Sequence, residues 1–210
     1  MLLKLPQMVQ RFSRSILWAG DPASGQVALT FDDGPYPLYT PIILDVLAEY
    51  NVRASFFLTG KNVRRNACIV ERIAREGHTV GNHTFTHTRL IFKPEELIVK
   101  EIMRTERAIR EITGMVTRFF RPPYGHLDPL GFRTVKRLGY RLVMWSVMFR
   151  DWKPKTAPDI TSSLTHLLSS GSILLLHDRS DNVASVLEKI INTGTTMGIS
   201  FVSLSQLRCL

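Results

Sequence analysis

The chain is poor in cysteine. Only Cys68 and Cys209 occur in 210 residues, and neither sits in the short paired spacing of a zinc ribbon or a dithiol redox motif. Cys68 falls on a predicted amphipathic helix and Cys209 beside the end of the chain, so they read as two unrelated thiols. Long hydrophobic runs are missing too: nothing approaches the roughly 20 apolar residues of a membrane span. The first 20 residues open with Leu2 and Leu3, then Pro6 and the basic Arg11 and Arg14. No apolar stretch of signal-peptide length follows, so export is not encoded in an obvious way. Repeats, low-complexity tracts and linkers are also lacking, which leaves one domain, taken as residues 24–210, preceded by an irregular N-terminal arm, residues 1–23. Acidic residues are scarce relative to basic ones, 18 against 27, for a net charge of +9. That balance raises nucleic acid, an acidic membrane surface and an anionic cell-wall polymer as partners. The basic residues are scattered (Arg64, Arg65, Arg104, Arg107, Arg133, Lys136) rather than gathered into a recognisable module, which argues against nucleic acid. A solvated basic face, or peripheral contact with an anionic wall or membrane surface, is what remains.

What is present is the composition of a folded enzyme: 44% hydrophobic and 21% charged residues, on a chain long enough to bury roughly 70% of its unfolded surface. Short apolar, β-branched runs predict about seven strands: Val27 to Phe31, Ala54 to Leu58, Thr79 to Gly81, Arg118 to Phe120, Leu142 to Val147, Ile173 to Leu176 and Ser200 to Leu204. Helical spacing fills the intervals over Pro41 to Tyr50, Ala67 to Glu76, Pro94 to Ile112, Pro129 to Leu138, Pro158 to Leu168 and Val183 to Asn192. Proline near several of these starts suits a first helical turn. Strands alternating with helices imply parallel strands and right-handed crossovers, hence an α/β barrel or an open α/β sheet.

Polar residues follow the apolar runs at their C-terminal ends, the edge that carries the active site in such folds. In Thr30-Phe31-Asp32-Asp33-Gly34-Pro35 two carboxylates leave a strand in different directions, so one can bind a metal while the other faces a reacting water. A turn cap is the structural alternative. In His83-Thr84-Phe85-Thr86-His87 two imidazoles four residues apart can share a face and an ion. Two histidines and an aspartate give three protein ligands with positions left for water, the pattern of catalytic rather than structural zinc. Arg121-Pro122-Pro123-Tyr124-Gly125 is a stiff loop able to pair a carboxylate through Arg121 and to offer a backbone N–H to an oxyanion. His177, after Leu175-Leu176, can deliver a proton to a leaving group. His78, His126 and His166 read as structural.

Assembled, these motifs resemble the polysaccharide deacetylase family, the NodB-homology carbohydrate esterases, from about Val27 to Leu207. The resemblance rests on the segments above together with Asp151-Trp152, in the family's order and approximate spacing. It implies a distorted (β/α) barrel with fewer than eight strands and a divalent metal, zinc or else cobalt, held by Asp33, His83 and His87. It also implies Asp32 as the base that activates water, His177 as the general acid, Arg121 as the partner of Asp32, and the Tyr124 N–H in the oxyanion hole. Trp152 and Leu175 would line the acetyl pocket with Pro122 alongside. The reaction implied is removal of N-acetyl groups from an N-acetylglucosamine-containing polysaccharide, peptidoglycan or chitin-like, which in turn suggests the cell envelope. The same groups would also attack an ester, giving an O-acetyl esterase of the xylan type as the second reading; a non-catalytic carbohydrate-binding relative is the third. One departure bears on the third. Where the family has an aspartate three residues before Asp151, this chain has Met148, so support for the acid function of His177 falls to Asp151 or another group. Short loops after Pro35, at Arg89 to Lys93 and from Lys153 to Pro158 suggest an open groove.

Overall fold

Runs that are apolar at every position can be strands only where both sheet faces are covered. The computed structural model describes residues 16–148, 168–179 and 183–209, and there these runs become a parallel sheet wrapped by helices. In chain order the elements are β1 (Ile16–Leu17), β2 (Gln26–Asp32), α1 (Thr40–Glu49), β3 (Ser55–Leu58), α2 (Gly60–Arg65), α3 (Ala67–Arg75), β4 (Thr79–Asn82) and α4 (Glu95–Thr113). Then come β5 (Phe119–Phe120), α5 (Pro129–Arg137), β6 (Arg141–Val143), β7 (Val147–Met148), β8 (Ile173–His177), α6 (Val183–Thr196) and β9 (Ser200–Val202). Strand neighbours run β1-β6-β5-β4-β3-β2-β8-β7, with β9 also on β2. β3 pairs with Thr30 to Asp32 and β9 with Gln26 to Ala28, so the two share one edge of β2 while β8 takes the other.

The sheet curls into the expected distorted barrel, with nine strands among the described residues rather than seven. Two differences account for the count. The predicted strand Leu142 to Val147 is two strands, because its halves lie at opposite ends of the curl: β6 pairs with β1 and β5, β7 with β8. Residues 144–146 bridge them, Met144 N donating to Leu17 O (2.8 Å) and Ser146 N to Ile173 O (3.1 Å). The second difference is in the arm, where Ile16–Leu17 is the short edge strand β1 against β6. Helix α2 was also unforeseen. The predicted helix Pro158 to Leu168 falls outside the described residues except for Leu168, which is buried and not helical.

Helix ends follow local chemistry. Asp128 caps α5 by accepting from Gly131 N at 2.8 Å. α4 carries Glu95 and Glu96 in its first turn, where carboxylates suit the helix dipole, and stops at Gly114, left-handed at φ 70. His78 is structural: its Nδ1 accepts from Ala54 N (3.1 Å) and its ring meets Phe56 edge-on. Cys68 and Cys209 are free and exposed, and no helix among the described residues is long and apolar enough to cross a membrane.

Strand alternation sorts the side chains onto the two faces of the sheet. Val27, Leu29, Phe31, Phe56, Leu58, Leu174 and Leu176 face outward and pack under the helices. Ala28, Phe57, Val143 and Ile173 face inward, closed below by Leu17, Leu204 and Leu207. Each fully buried side chain of this size contributes about 2 kcal/mol. The inward rows continue upward from apolar to polar: Ala28, Thr30, Asp32 on β2 lie in register with Ile173, Leu175, His177 on β8.

Candidate active site

The barrel's upper rim is where these inward rows end. Asp32 is the last residue of β2 and the register partner of His177, so the two side chains leave adjacent parallel strands on the same face. Arg121, following β5, reaches across beneath them with its side chain 0% exposed. Its Nη1 donates to Asp32 Oδ1 (2.6 Å) and Thr30 Oγ1 (2.9 Å), and its Nη2 to Met144 O (2.9 Å). The guanidinium lies 4.1 Å above the Phe57 ring, on the inner apolar core. Burial pulls the Arg121 pKa down and the Asp32 charge pulls it back.

Asp33 leaves the strand differently from Asp32. Its backbone is left-handed at φ 81, and the next peptide, Gly34–Pro35, is cis. The turn is held from outside by Asn62 Nδ2 on Asp33 O (2.9 Å) and Thr59 N on Gly34 O (3.0 Å). Gly34 has no room for a side chain: a Cβ there would lie 2.0 Å from Asp178 Oδ2. Asp178 is wholly buried, accepts from Thr40 Oγ1 (2.5 Å), and has no partner for Oδ1 among the described residues. Burial pushes its carboxyl up to about 7.

The histidines come from the loop after β4. His83 Nδ1 lies 2.7 Å from Arg121 O. A carbonyl can only accept, so Nδ1 carries the proton and Nε2 is left bare as a ligand. His83 Nε2 stands 3.5 Å from Asp33 Oδ1, and His87 Nε2 stands 2.9 Å from the same oxygen. The three ligand atoms lie within 4.8 Å of one another. Tetrahedral donors at zinc-like bond lengths stand about 3.3 Å apart, so the spacing fits a divalent metal, as does the donor set of two imidazoles and a carboxylate. Burial alone would raise the Asp33 carboxyl, but the His83 and His87 imidazoles beside it, when they carry their second proton, outweigh burial and hold the group well below the ordinary carboxylate range; a metal cation takes the place of those protons. Asp32 Oδ2, the oxygen Arg121 does not take, is 3.8 Å from His83 Nε2 and thus beside the triad.

Around this centre, Tyr124 is left-handed (φ 61), and its ring meets the His87 ring edge-on at 4.9 Å with Arg89 stacked over it. Pro122 is buried. Leu175 is buried one pleat below His177, and Met148 on β7 is its register partner, on the same inward face. A cavity of about 170 Å³ opens beside Asp33 and His87, lined also by Tyr36, Asn62, Phe85 and Lys61. Asp151 and Trp152 lie outside the described residues.

The structure therefore brings Asp32, Asp33, His83, His87, Arg121, Tyr124 and Leu175 to one rim with His177. Sequence reasoning passed over several neighbours. Thr30 stands in the strand-end motif, where nothing local marks it as a partner of Arg121. Asp178 and Arg179 follow His177 directly, and Arg179 Nη1 lies 3.2 Å from Asp33 Oδ2. Glu101 carried one signal, a charge beside the apolar stripe of Ile98, Ile102 and Ile109 of α4.

Comparison with known proteins places this geometry. The sequence model of the family described as polysaccharide deacetylase matches residues 19–143. A peptidoglycan-N-acetylglucosamine deacetylase of Bacillus cereus is 37% identical over 194 residues, covering 90% of this chain and 70% of its own length. The peptidoglycan-N-acetylmuramic acid deacetylase PdaA of Bacillus subtilis is 33% identical over 208 residues, covering 97% of this chain and 78% of its own. Among solved structures, the Bc1960 peptidoglycan N-acetylglucosamine deacetylase superposes with a TM-score of 0.87 at 35% identity, covering 96% of this chain and 95% of that one. By sequence, by fold and by the metal-compatible triad on its rim, this chain belongs to the polysaccharide deacetylase family.

Proposed function

We propose that the chain is a zinc-dependent N-deacetylase acting on N-acetylglucosamine units of peptidoglycan, with residues 24–210 as its catalytic domain and the cell envelope as its place of action. The observation that carries this is the pairing of Asp32 with His177 across β2 and β8, beside three convergent ligand atoms. A base and an acid on adjacent strand ends can serve the two proton transfers that amide hydrolysis requires.

Asp33, His83 and His87 would hold the zinc, which when bound supplies Lewis acidity to the acetyl carbonyl and to water. Asp32 takes the proton from the attacking water. Arg121 occupies Oδ1 of that carboxylate and so turns Oδ2 toward the reacting centre. The Tyr124 N–H receives the developing oxyanion, and His177 gives its proton to the departing nitrogen. Water and the amide thereby become acetate and a free amine. Leu175, with Pro122 and Trp152, supplies apolar contact for the acetyl methyl, and Asp151 supports the acid in place of the carboxylate missing at Met148. The cavity of about 170 Å³ is smaller than the roughly 300 Å³ and more of pockets that enclose a drug-sized ligand. It suits one ring or substituent of a polymer lying across the rim. The excess of basic residues fits a salt-sensitive contact with an anionic wall or membrane surface.

The test is acetate release from peptidoglycan, chitin oligomers and acetylated xylan by protein as purified, after chelation, and after zinc or cobalt is restored. Zinc-restored release from peptidoglycan that vanishes in Asp32→Asn supports the proposal; faster release from acetylated xylan, or no release from any substrate by metal-loaded protein, refutes it.

A further inference from the structure

The loop from His83 to His87 bends through two left-handed residues that are not glycine, Thr84 at φ 65 and His87 at φ 58. Such backbone is unfavourable for L-residues and persists only where its surroundings over-determine it. The hydrogen bonds show what does so. Thr84 N donates to Asn82 Oδ1 (3.0 Å), while Gly60 N and Lys61 N, at the start of α2, donate to Thr84 O (3.0 Å) and Phe85 O (2.9 Å). The two central N–H groups, Phe85 N and Thr86 N, converge on one oxygen, Glu101 Oε2, at 3.0 and 2.8 Å, and Thr86 Oγ1 joins them at 3.0 Å.

Glu101 comes from the middle of α4 and is 4% exposed. Consecutive N–H groups curled around an anion form a nest, and charge-assisted bonds are the strong ones. Because Oε2 is buried, water is a poor substitute for it. The same stretch of α4 grips the loop a second time, Ile102 O accepting from Asn82 Nδ2 at 2.9 Å. The distance between two ligands four residues apart depends on the torsions of the residues between them, and those residues are the ones Glu101 binds. We propose that Glu101 is a positioning residue for the metal centre, whose carboxylate holds the histidine loop in its ligating shape without touching metal or substrate. The inference rests on the metal reading of the site.

Glu106, one turn further along α4, provides the control. It too is buried, and it accepts from Thr117 N (3.1 Å), the Thr117 hydroxyl and Tyr140 OH (2.7 Å); it bonds no N–H of the histidine loop and reaches that loop at second hand, through Tyr140 OH accepting from Asn82 Nδ2 (3.3 Å). The experiment titrates zinc against a competing chromophoric chelator in wild type, Glu101→Ala, Glu101→Gln and Glu106→Gln, and follows amide hydrogen exchange at Phe85 and Thr86 in the metal-free proteins. Glu101→Ala is expected to weaken zinc binding by about tenfold or more, with Glu101→Gln between it and wild type. Exchange at the two amides should speed up by about tenfold in Glu101→Ala. Glu106→Gln should lose thermal stability yet keep both readouts within about twofold. If Glu101→Ala does not fold, Glu101→Gln decides. Wild-type zinc affinity in the folded Glu101 variants, or an equal loss in Glu106→Gln, overturns the proposal. Failure of wild type itself to bind zinc would instead overturn the metal reading, and this inference with it.

Discussion

Replacing Arg121 by Met should strand a charge. The guanidinium is wholly buried, and its bond to Asp32 Oδ1 is 2.6 Å long. Asp32 is itself 3% exposed, so without Arg121 a carboxylate remains in the barrel with its counter-charge gone. Breaking a buried pair in this way costs about 3–5 kcal/mol. At roughly 2–4 °C per kcal/mol for a chain of this size, melting should fall by about 10 °C. Asp32→Asn strands the buried Arg121 charge in turn and should cost about 3 kcal/mol, the lower end of that range, because the amide oxygen still accepts from Nη1 while Thr30 and Met144 keep their bonds. The double variant Arg121→Met/Asp32→Asn removes both charges, so its loss should be smaller than the sum of the single losses by at least about 1 kcal/mol. Urea denaturation in the presence of a chelator measures all four proteins without a contribution from bound metal. Activity should stay absent in the double variant, since the base has gone. Additive losses to within about 0.5 kcal/mol would refute the argument that the two charges hold each other in place.

Three further outcomes follow from the same rim. The Asp178 carboxyl is raised by burial from its ordinary 3.8 to about 7, so it favours folding when protonated; that contribution is present below about pH 4 and is lost as pH rises through about 7. Urea midpoints of the metal-free protein should therefore decline across that window, and an identical slope in Asp178→Asn would sink the assignment. Gly34→Ala places a methyl 2.0 Å from Asp178 Oδ2 and should destabilise by about 1–3 kcal/mol, with partial recovery when Asp178→Ala is added; a Gly34→Ala protein as stable as wild type is the contrary result. Met148 shares the inward face with Leu175, one pleat below His177, so Met148→Asp should raise turnover or extend the pH optimum upward, and a superimposable pH–rate profile would count against it.

Legibility in the sequence tracks locality. Asp32-Asp33 and the His83 to His87 spacing could be read because each signal is contiguous, and the strand ends because apolar runs stop abruptly there. The helix starts at Ala67 and Pro129 were placed correctly by the same local rules. β1 was not legible: two residues have no periodicity, and Ile16–Leu17 is a strand only because β6 lies beside it. The break at residues 144–146 was hidden inside an apolar run, since its cause is a change of neighbours as the sheet closes.

Which residue types stand at strand ends, and hence the chemistry available to the rim, is written in the chain. Which partners they meet is settled only on folding. Arg121 finds Thr30 and Asp32 across 91 and 89 residues of chain, and Asp178 finds Thr40 across 138. Glu101 reaches a loop 15 residues away by way of a helix that must first dock. The physical reason is that a side chain's own tendencies act over one or two turns of backbone, whereas burial, pairing of charge and satisfaction of N–H groups are settled by whatever the packed fold brings alongside.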